Sequence, residues 1–167
     1  LNRNDEALEE LNWMVAFEPD VHSVYVSRAA FFHEMNRHEE AVADINKAVE
    51  LASAYEEPIK DYWMLINDRA FYHIKAGIYD EARKDLLQVI ANDPENPYPY
   101  NNLGELLTKT GHYDEALEKI NHSLTLDSKN AYAYLNRALV YEKLNRNKEA
   151  CDDAGRALED KFFPRTE

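Results

Sequence analysis

The sequence has little of what forms cross-links, long loops or membrane spans. Its 167 residues include one cysteine, Cys151, four glycines and six prolines. A single cysteine excludes an internal disulfide and leaves the compartment open, while the scarcity of glycine and proline argues against long loops. No apolar run approaches the roughly 20 residues that a membrane helix requires, so membrane insertion is not expected.

Basic residues are scarce relative to acidic ones. The chain carries 19 lysines and arginines against 32 aspartates and glutamates, which gives a formal net charge of -13. Because such a chain would repel a phosphate backbone, nucleic acid is not expected as a partner. The hydrophobic share of 45% is nevertheless enough to form a folded body.

What the sequence does contain is a repeat of 34 residues. Three blocks of this length begin at Trp63, Pro97 and Ala131, and a fourth block in the same register begins at His22. Small residues recur at two places in every block. The eighth place holds Ala29, Ala70, Gly104 and Ala138, and the twentieth holds Ala41, Ala82, Ala116 and Ala150.

Each block has the pattern of two helices joined by a short turn. Apolar residues recur at helical spacing in two stretches, and Gly77, Gly111 or Asn145 stands between the stretches, where a left-handed residue ends a helix. Two antiparallel helices approach closely only where their crossing point carries no bulk. The small residues therefore predict a helix pair that crosses at the eighth and twentieth places.

This spacing resembles the tetratricopeptide repeat family, whose unit is a helix-turn-helix of 34 residues with small residues at these two places. The resemblance covers almost the whole chain and implies an all-α fold, a right-handed α-solenoid of stacked repeats. Residues 1–21 correspond to the second half of a repeat, a lone helix. Full repeats are expected at 22–55, 63–96, 97–130 and 131–160, with an insertion at 56–62 and a C-terminal tail at 161–167.

The insertion, residues 56–62, carries Pro58 near its start. Proline is tolerated in the first turn of a helix because its missing N–H donor would be unpaired there anyway. We therefore predict that the insertion lengthens the helix that carries Trp63 by about two turns.

Charged residues at the seventh and twenty-third places change together from repeat to repeat. Where the seventh place is arginine the twenty-third is aspartate, and where Leu103 replaces the arginine, Lys119 replaces the aspartate. This pattern predicts an arginine–aspartate bridge between the two helices of three repeats, as a scaffold feature. The predicted pairs are Arg28 with Asp44, Arg69 with Asp85, and Arg137 with Asp153.

Groups that could perform catalysis do not converge in the sequence. The six histidines are scattered and lack the i, i+4 spacing and further ligands of a metal-binding helix. Cys151 lies beside Asp152 and Asp153, whose negative charges disfavour a thiolate nucleophile. The sequence therefore predicts a non-enzymatic protein without a catalytic residue, metal or cofactor.

The resemblance implies that the first helices of the repeats line a concave surface. In the last three repeats this surface is rich in asparagine and tyrosine, although asparagine lowers helix propensity by roughly 0.6 kcal/mol relative to alanine. Asparagine can pair with a peptide backbone through one donor and one acceptor, and tyrosine offers a large contact area. The candidate peptide-binding residues are Asn67, Asp68, Phe71, Tyr98, Asn101, Asn102, Glu105, Tyr132, Leu135 and Asn136.

The first full repeat offers a smaller surface, Ser23, Val26, Ser27 and Ala30, which would either continue the groove or end it. Family members that clamp acidic chaperone tails use lysine, asparagine and arginine at fixed places, and of the corresponding residues only Asn102 matches. An acidic tail is therefore a poor ligand, and the resemblance favours a neutral or basic protein segment.

Two other functions stay open. The chain could be a structural segment of a longer or self-associating superhelix, because the lone first helix leaves Leu8, Leu11 and Val15 half covered and no polar capping helix is recognisable at the end. Self-association through uncapped ends would form a homo-oligomer. The repeats could also be the regulatory arm of a larger protein, and the asparagines could simply cap turns or face solvent.

Overall fold

A computed structural model describes residues 3–54 and 61–162. All regular secondary structure in this part of the chain is helical, which confirms the all-α prediction. The helices are α1 (Arg3–Phe17), α2 (His22–Glu34), α3 (His38–Ser53), α4 (Tyr62–Ala76), α5 (Tyr79–Asn92), α6 (Pro97–Lys109), α7 (Tyr113–Leu126), α8 (Ala131–Lys143) and α9 (Asn147–Phe162).

The turn inside each repeat contains one residue in the left-handed conformation. Gly77 and Gly111 have φ values of 79° and 84°, and Asn36 and Asn145 have φ values of 57° and 58°. Glycine and asparagine tolerate this conformation best. The turn chemistry of the sequence therefore ends α2, α4, α6 and α8 where the repeat requires.

The connections between repeats are fixed by asparagine caps and by tyrosine hydroxyls. The side-chain oxygen of Asn96 accepts a hydrogen bond from the backbone N–H of Tyr98, and that of Asn130 accepts one from Ala133. A tyrosine at the fourth place of three repeats also donates its hydroxyl to a carbonyl six residues earlier. These bonds join Tyr25 to Pro19, Tyr100 to Pro94, and Tyr134 to Ser128.

Small residues make the close helix crossings possible. Ala29, Ala41, Ala70 and Ala116 are fully buried. Gly104 is the tightest case, because a Cβ atom added there would lie 2.3 Å from Cγ1 of Ile120. Any larger residue at position 104 would therefore require the Ile120 side chain, or the helices α6 and α7, to shift.

The chain divides into two compact units, an N-terminal unit, Leu1–Asp85, and a C-terminal unit, Leu86–Glu167. In the N-terminal unit, α1 packs on α2, α2 on α3, and α3 on α4. In the C-terminal unit, α6 packs on α7, α7 on α8, and α8 on α9, while α6 also contacts α8. This sequential packing of helix pairs is that of an α-solenoid.

The three predicted arginine–aspartate bridges are confirmed, and each has two hydrogen bonds. Their N–O distances are 2.6 to 2.8 Å, and the aspartates are buried while the arginines are half-buried. In the remaining repeat Leu103 is buried and Lys119 pairs with the neighbouring Glu118 instead. The bridged pairs are Arg28 with Asp44, Arg69 with Asp85, and Arg137 with Asp153.

The start of α4 and the end of α9 lie close to the predicted boundaries of the insertion and the tail. Helix α4 begins at Tyr62, and Asp61 stands before it as the N-cap residue, so the described part of the insertion adds one residue to that helix. The predicted extension by two turns otherwise falls on residues 56–60, outside the described residues. Helix α9 ends at Phe162, two residues into the predicted tail, and 163–167 also lie outside.

Candidate protein-binding surface

The first helices of the C-terminal unit expose large side chains at the same place of successive repeats. Tyr98 on α6 is 53% exposed and Tyr132 on α8 is 69% exposed, both at the second place. Leu135 and Leu139 on α8 are exposed as well. The second place is exposed in both repeats, whereas the fifth place is exposed at Leu135 and buried at Asn101.

Asn101 and Asn136 connect α6 to α8. The Nδ2 atom of Asn136 donates a hydrogen bond of 3.0 Å to Oδ1 of Asn101. Asn101 is buried and Asn136 is half-buried. The sequence predicted that both amides face a peptide, but one donor and one acceptor are already paired within the protein. The Oδ1 atom of Asn136 accepts no hydrogen bond from the described residues.

Asn102 and Glu105 on α6 are less accessible to solvent than expected for residues that line an open groove. Asn102 is 8% exposed and has contacts within the protein. The Glu105 carboxylate lies 3.9 Å from the ammonium of Lys109, one helical turn further along, and is mostly shielded from solvent. These two residues are therefore less exposed than Tyr98, Tyr132, Leu135 and Leu139.

In the N-terminal unit the candidate residues lie on α4. Asn67 is buried, and Asp68 and Phe71 are half-buried. The ring of Phe71 packs edge-on against His33 with centroids 4.9 Å apart, and the Lys75 ammonium lies 4.7 Å from its centroid. Phe71 is therefore partly a packing residue between α2 and α4.

Asp68 lies at a cavity of about 250 Å³ between α2 and α4. Burial raises the pKa of the Asp68 carboxyl to about 6, although a hydrogen bond from Asn67 acts in the opposite direction. The lining residues are His22, Ser23, Val26, Ser27, Asp61, Met64, Leu65 and Asp68.

The sequence predicts only some of the residues that line the cavity between α2 and α4. The repeat register places Ser23, Val26 and Ser27 on the surface of a first helix, but it does not associate His22 or Asp61 with them. Asp61 belongs to the insertion, so the repeat register gives no information about its position. The cavity also depends on the distance between α2 and α4, which the apolar pattern does not specify.

A second cavity, of about 570 Å³, lies between α8 and α9. Its walls are mainly apolar, and Cys151 is exposed there. Sequence reasoning did not single out this groove. The lining residues are Leu135, Ala138, Leu139, Glu142, Asn147, Ala150, Cys151 and Ala154.

Within residues 3–54 and 61–162, no three histidine, cysteine, aspartate or glutamate side chains come together in a way that could hold a metal ion. The same stretches contain no helix with the length and apolar character needed to cross a membrane.

The helix pairs, their crossings and their bridges define an α-helical repeat protein. Family models described as tetratricopeptide repeat match residues 22–55 and 86–118, and a model described as TPR repeat matches residues 104–145. Together these matches span more than half of the chain. The chain belongs to the tetratricopeptide repeat family, as the sequence pattern predicted. No curated protein matches it in sequence.

Several solved structures share the fold. Residues 41 to the end of MamA from Desulfovibrio magneticus RS-1 are 16% identical, with 99% of this chain and 89% of that chain covered and a TM-score of 0.67. Cut9 in the Cut9–Hcn1 hetero-tetramer of the APC/C is 19% identical, with 95% of this chain and 31% of that chain covered and a TM-score of 0.75. The first TPR domain of Spaghetti (RPAP3), bound to the HSP90 peptide SRMEEVD, is 24% identical, with 59% of this chain and 79% of that chain covered and a TM-score of 0.55.

Proposed function

We propose that this chain is a non-enzymatic interaction module that binds an extended segment of a partner protein on the surface of its first helices. The observation that carries the proposal is the exposure of Tyr98 and Tyr132 at the same place of successive repeats. Tyrosine is enriched in binding surfaces because it buries a large area at low conformational cost. A regular row of such side chains suits an extended ligand that meets one repeat after another.

Hydrogen bonds to the ligand backbone would come from the asparagines. The Oδ1 atom of Asn136 is oriented by the bond that its amide nitrogen makes to Asn101. A pre-oriented acceptor loses less conformational entropy when a ligand N–H binds to it than a freely rotating side chain does. The Asn101–Asn136 bond thus supports ligand binding indirectly, by holding one acceptor in place.

The charge of the chain favours a neutral or basic ligand. The net charge is -13, and opposite charge on a partner increases the rate of association and the selectivity between partners. The RPAP3 structure contains an acidic peptide, but here the corresponding clamp positions lack the cations that such a peptide needs. An acidic segment should therefore bind this chain poorly.

The test begins with affinity capture by the intact chain and identification of the captured segment. The affinity of the captured segment is then measured by calorimetry, both for the wild-type protein and for the double variant Tyr98→Ala/Tyr132→Ala. We expect at least about tenfold weaker binding, which corresponds to roughly 1.4 kcal/mol. Leu87→Ala is the matched control, because Leu87 is 52% exposed but lies on the second helix α5. Equal affinity of the double variant and the wild type would exclude this surface.

Self-association is a second candidate function, and α1 gives the observation that favours it. The rings of Trp13 and Phe17 stack 5.0 Å apart and are 64% and 68% exposed. Leu8, Leu11 and Val15 on the same helix are half-buried. Exposed aromatic pairs of this size are characteristic of protein contacts. Analytical ultracentrifugation decides this point, since a monomer at every concentration measured would exclude self-association.

A further inference from the structure

We propose that the cavity between α2 and α4 is a subsite for a cationic side chain, a lysine or arginine of the bound segment, with Asp68 as its anion. This inference rests on the proposed function, because it assigns a ligand group to part of the same first-helix surface. The cavity, Asp68 and all other lining residues lie within the N-terminal unit.

Asp68 lacks the polar partner that the residue at the same place has in the C-terminal unit. In the C-terminal unit the fifth place of one repeat, Asn101, bonds to the sixth place of the next, Asn136. The residues at the same two places in the N-terminal unit are Val26 and Asp68. Valine has no polar side-chain atom, so Val26 offers Asp68 no hydrogen-bond partner. In the C-terminal unit the amide of Asn101 pairs with the sixth-place side chain of the next repeat. In the N-terminal unit an open cavity lies beside the sixth-place carboxylate of Asp68 instead.

Asp68 has no cation as a partner among the described residues. None of the lysines, arginines and histidines in the described part of the chain forms an ion pair with it, and its only side-chain hydrogen bond comes from Asn67. The other three residues at the sixth place are Ser27, Asn102 and Asn136, all uncharged. A partly buried carboxylate without a counter-charge costs stability, so its presence here requires a reason outside the isolated fold.

The walls of the cavity match the chemistry of a long basic side chain. Val26, Met64 and Leu65 provide apolar contacts that suit the methylene groups of a long basic side chain. The hydroxyl of Ser27 donates to the carbonyl of Ser23 at 3.0 Å, so its oxygen can accept a hydrogen bond from a cation. Asp61 adds a second carboxylate at the same cavity.

The size of the cavity suits one side chain. Its volume of about 250 Å³ is below the roughly 300 to 1,000 Å³ of pockets for drug-sized ligands. Because the net charge of the whole chain is also strongly negative, a basic residue would be attracted both locally and at long range. A single lysine or arginine satisfies the carboxylates, the hydroxyl and the apolar walls together.

The test uses Nα-acetyl-lysine N-methylamide as the probe, titrated into the intact chain and followed by NMR shifts of backbone amides on α2 and α4. Nα-acetyl-norleucine N-methylamide is the uncharged control probe. We expect saturable shifts at Ser23, Ser27 and Leu65 with the lysine probe and at least about fivefold weaker binding of the norleucine probe.

Two variants complete the experiment. Asp68→Asn keeps the side-chain shape and should weaken the lysine probe at least about fivefold, whereas Asp152→Asn, exposed on α9, makes the same change in net charge and should have no effect. Equal binding to wild type and Asp68→Asn, or shifts confined to other helices, would overturn the subsite. Since the probe is a single residue, its result is independent of Tyr98 and Tyr132, and a failure of the subsite can be distinguished from a failure of the proposed function.

Discussion

Asn136 donates a hydrogen bond of 3.0 Å to Asn101, which lies 35 residues earlier in the chain. This bond joins the first helices of two successive repeats, α6 and α8, at a place where each side chain is shielded from solvent to some degree. It therefore serves both the packing of the repeats and the proposed binding surface. Removing either partner should affect both properties, and the two effects can be measured separately.

We expect Asn101→Ala to lower the free energy of unfolding by about 1–2 kcal/mol, because Asn136 loses its acceptor and a buried amide is lost. A double-mutant cycle with Asn136→Ala, measured by urea denaturation, should give a coupling energy of about 1 kcal/mol. Asn92→Ala is the control, since the exposed Asn92 bonds only to the carbonyl of Gln88 and should change little. Strict additivity of the two alanine variants would contradict the bond.

The bridge between Arg137 and Asp153 should be worth more than an exposed ion pair. Both hydrogen bonds are short, 2.6 and 2.8 Å, and Arg137 also donates to Asn121. Arg137→Ala leaves the buried Asp153 carboxylate with the more distant Arg156 guanidinium, 4.0 Å away, as its cation, so we expect a loss of about 2–4 kcal/mol in the free energy of unfolding. Arg146→Ala removes the more exposed pair with Glu149 and should cost less than about 1 kcal/mol. Equal losses in chemical denaturation would show that shielding does not matter here.

Features that depend on the repeat period could be predicted from the sequence. The bridge between Arg137 and Asp153 is an example, because a fixed spacing within a helix pair places both side chains at the crossing. The bond between Asn101 and Asn136 was not predicted, because it depends on side-chain rotamers and on how closely α6 and α8 approach. The Asp68 cavity was missed for a similar reason, since an apolar pattern identifies the buried face of a helix but not the gap between two helices.

The stability of the protein should depend on Asp68 in a specific pH range. Burial raises the pKa of this carboxyl from its ordinary 3.8 to about 6, so the folded state binds the proton more tightly than the unfolded chain does. Folding is therefore penalised progressively as the pH rises from about 4 to 6, and the penalty is complete above pH 6.

Asp68→Asn removes this penalty and should raise the free energy of unfolding at pH 7.5 by up to roughly 3 kcal/mol. At pH 4, where most of the carboxyl is protonated in the folded state, the difference should nearly vanish. Urea denaturation of both proteins across this range measures the effect, with Asp152→Asn as a control at the same net charge. His22 and Asp61 line the same cavity, so the comparison between variants is needed to isolate Asp68. A variant that is less stable at pH 7.5 would contradict the penalty.

Gly104 and Gly155 should respond in opposite directions to the same substitution. A Cβ atom at Gly104 would lie 2.3 Å from Cγ1 of Ile120, whereas a Cβ atom at Gly155 would meet nothing within 4 Å. Alanine favours a helix by roughly 1 kcal/mol over glycine, so Gly155→Ala on α9 should be stabilising by about that amount. At Gly104 the collision forces α6 and α7 apart, and we expect a net loss of about 1–3 kcal/mol. Thermal unfolding measures both, and a stabilising Gly104→Ala would show that this helix crossing has room to spare.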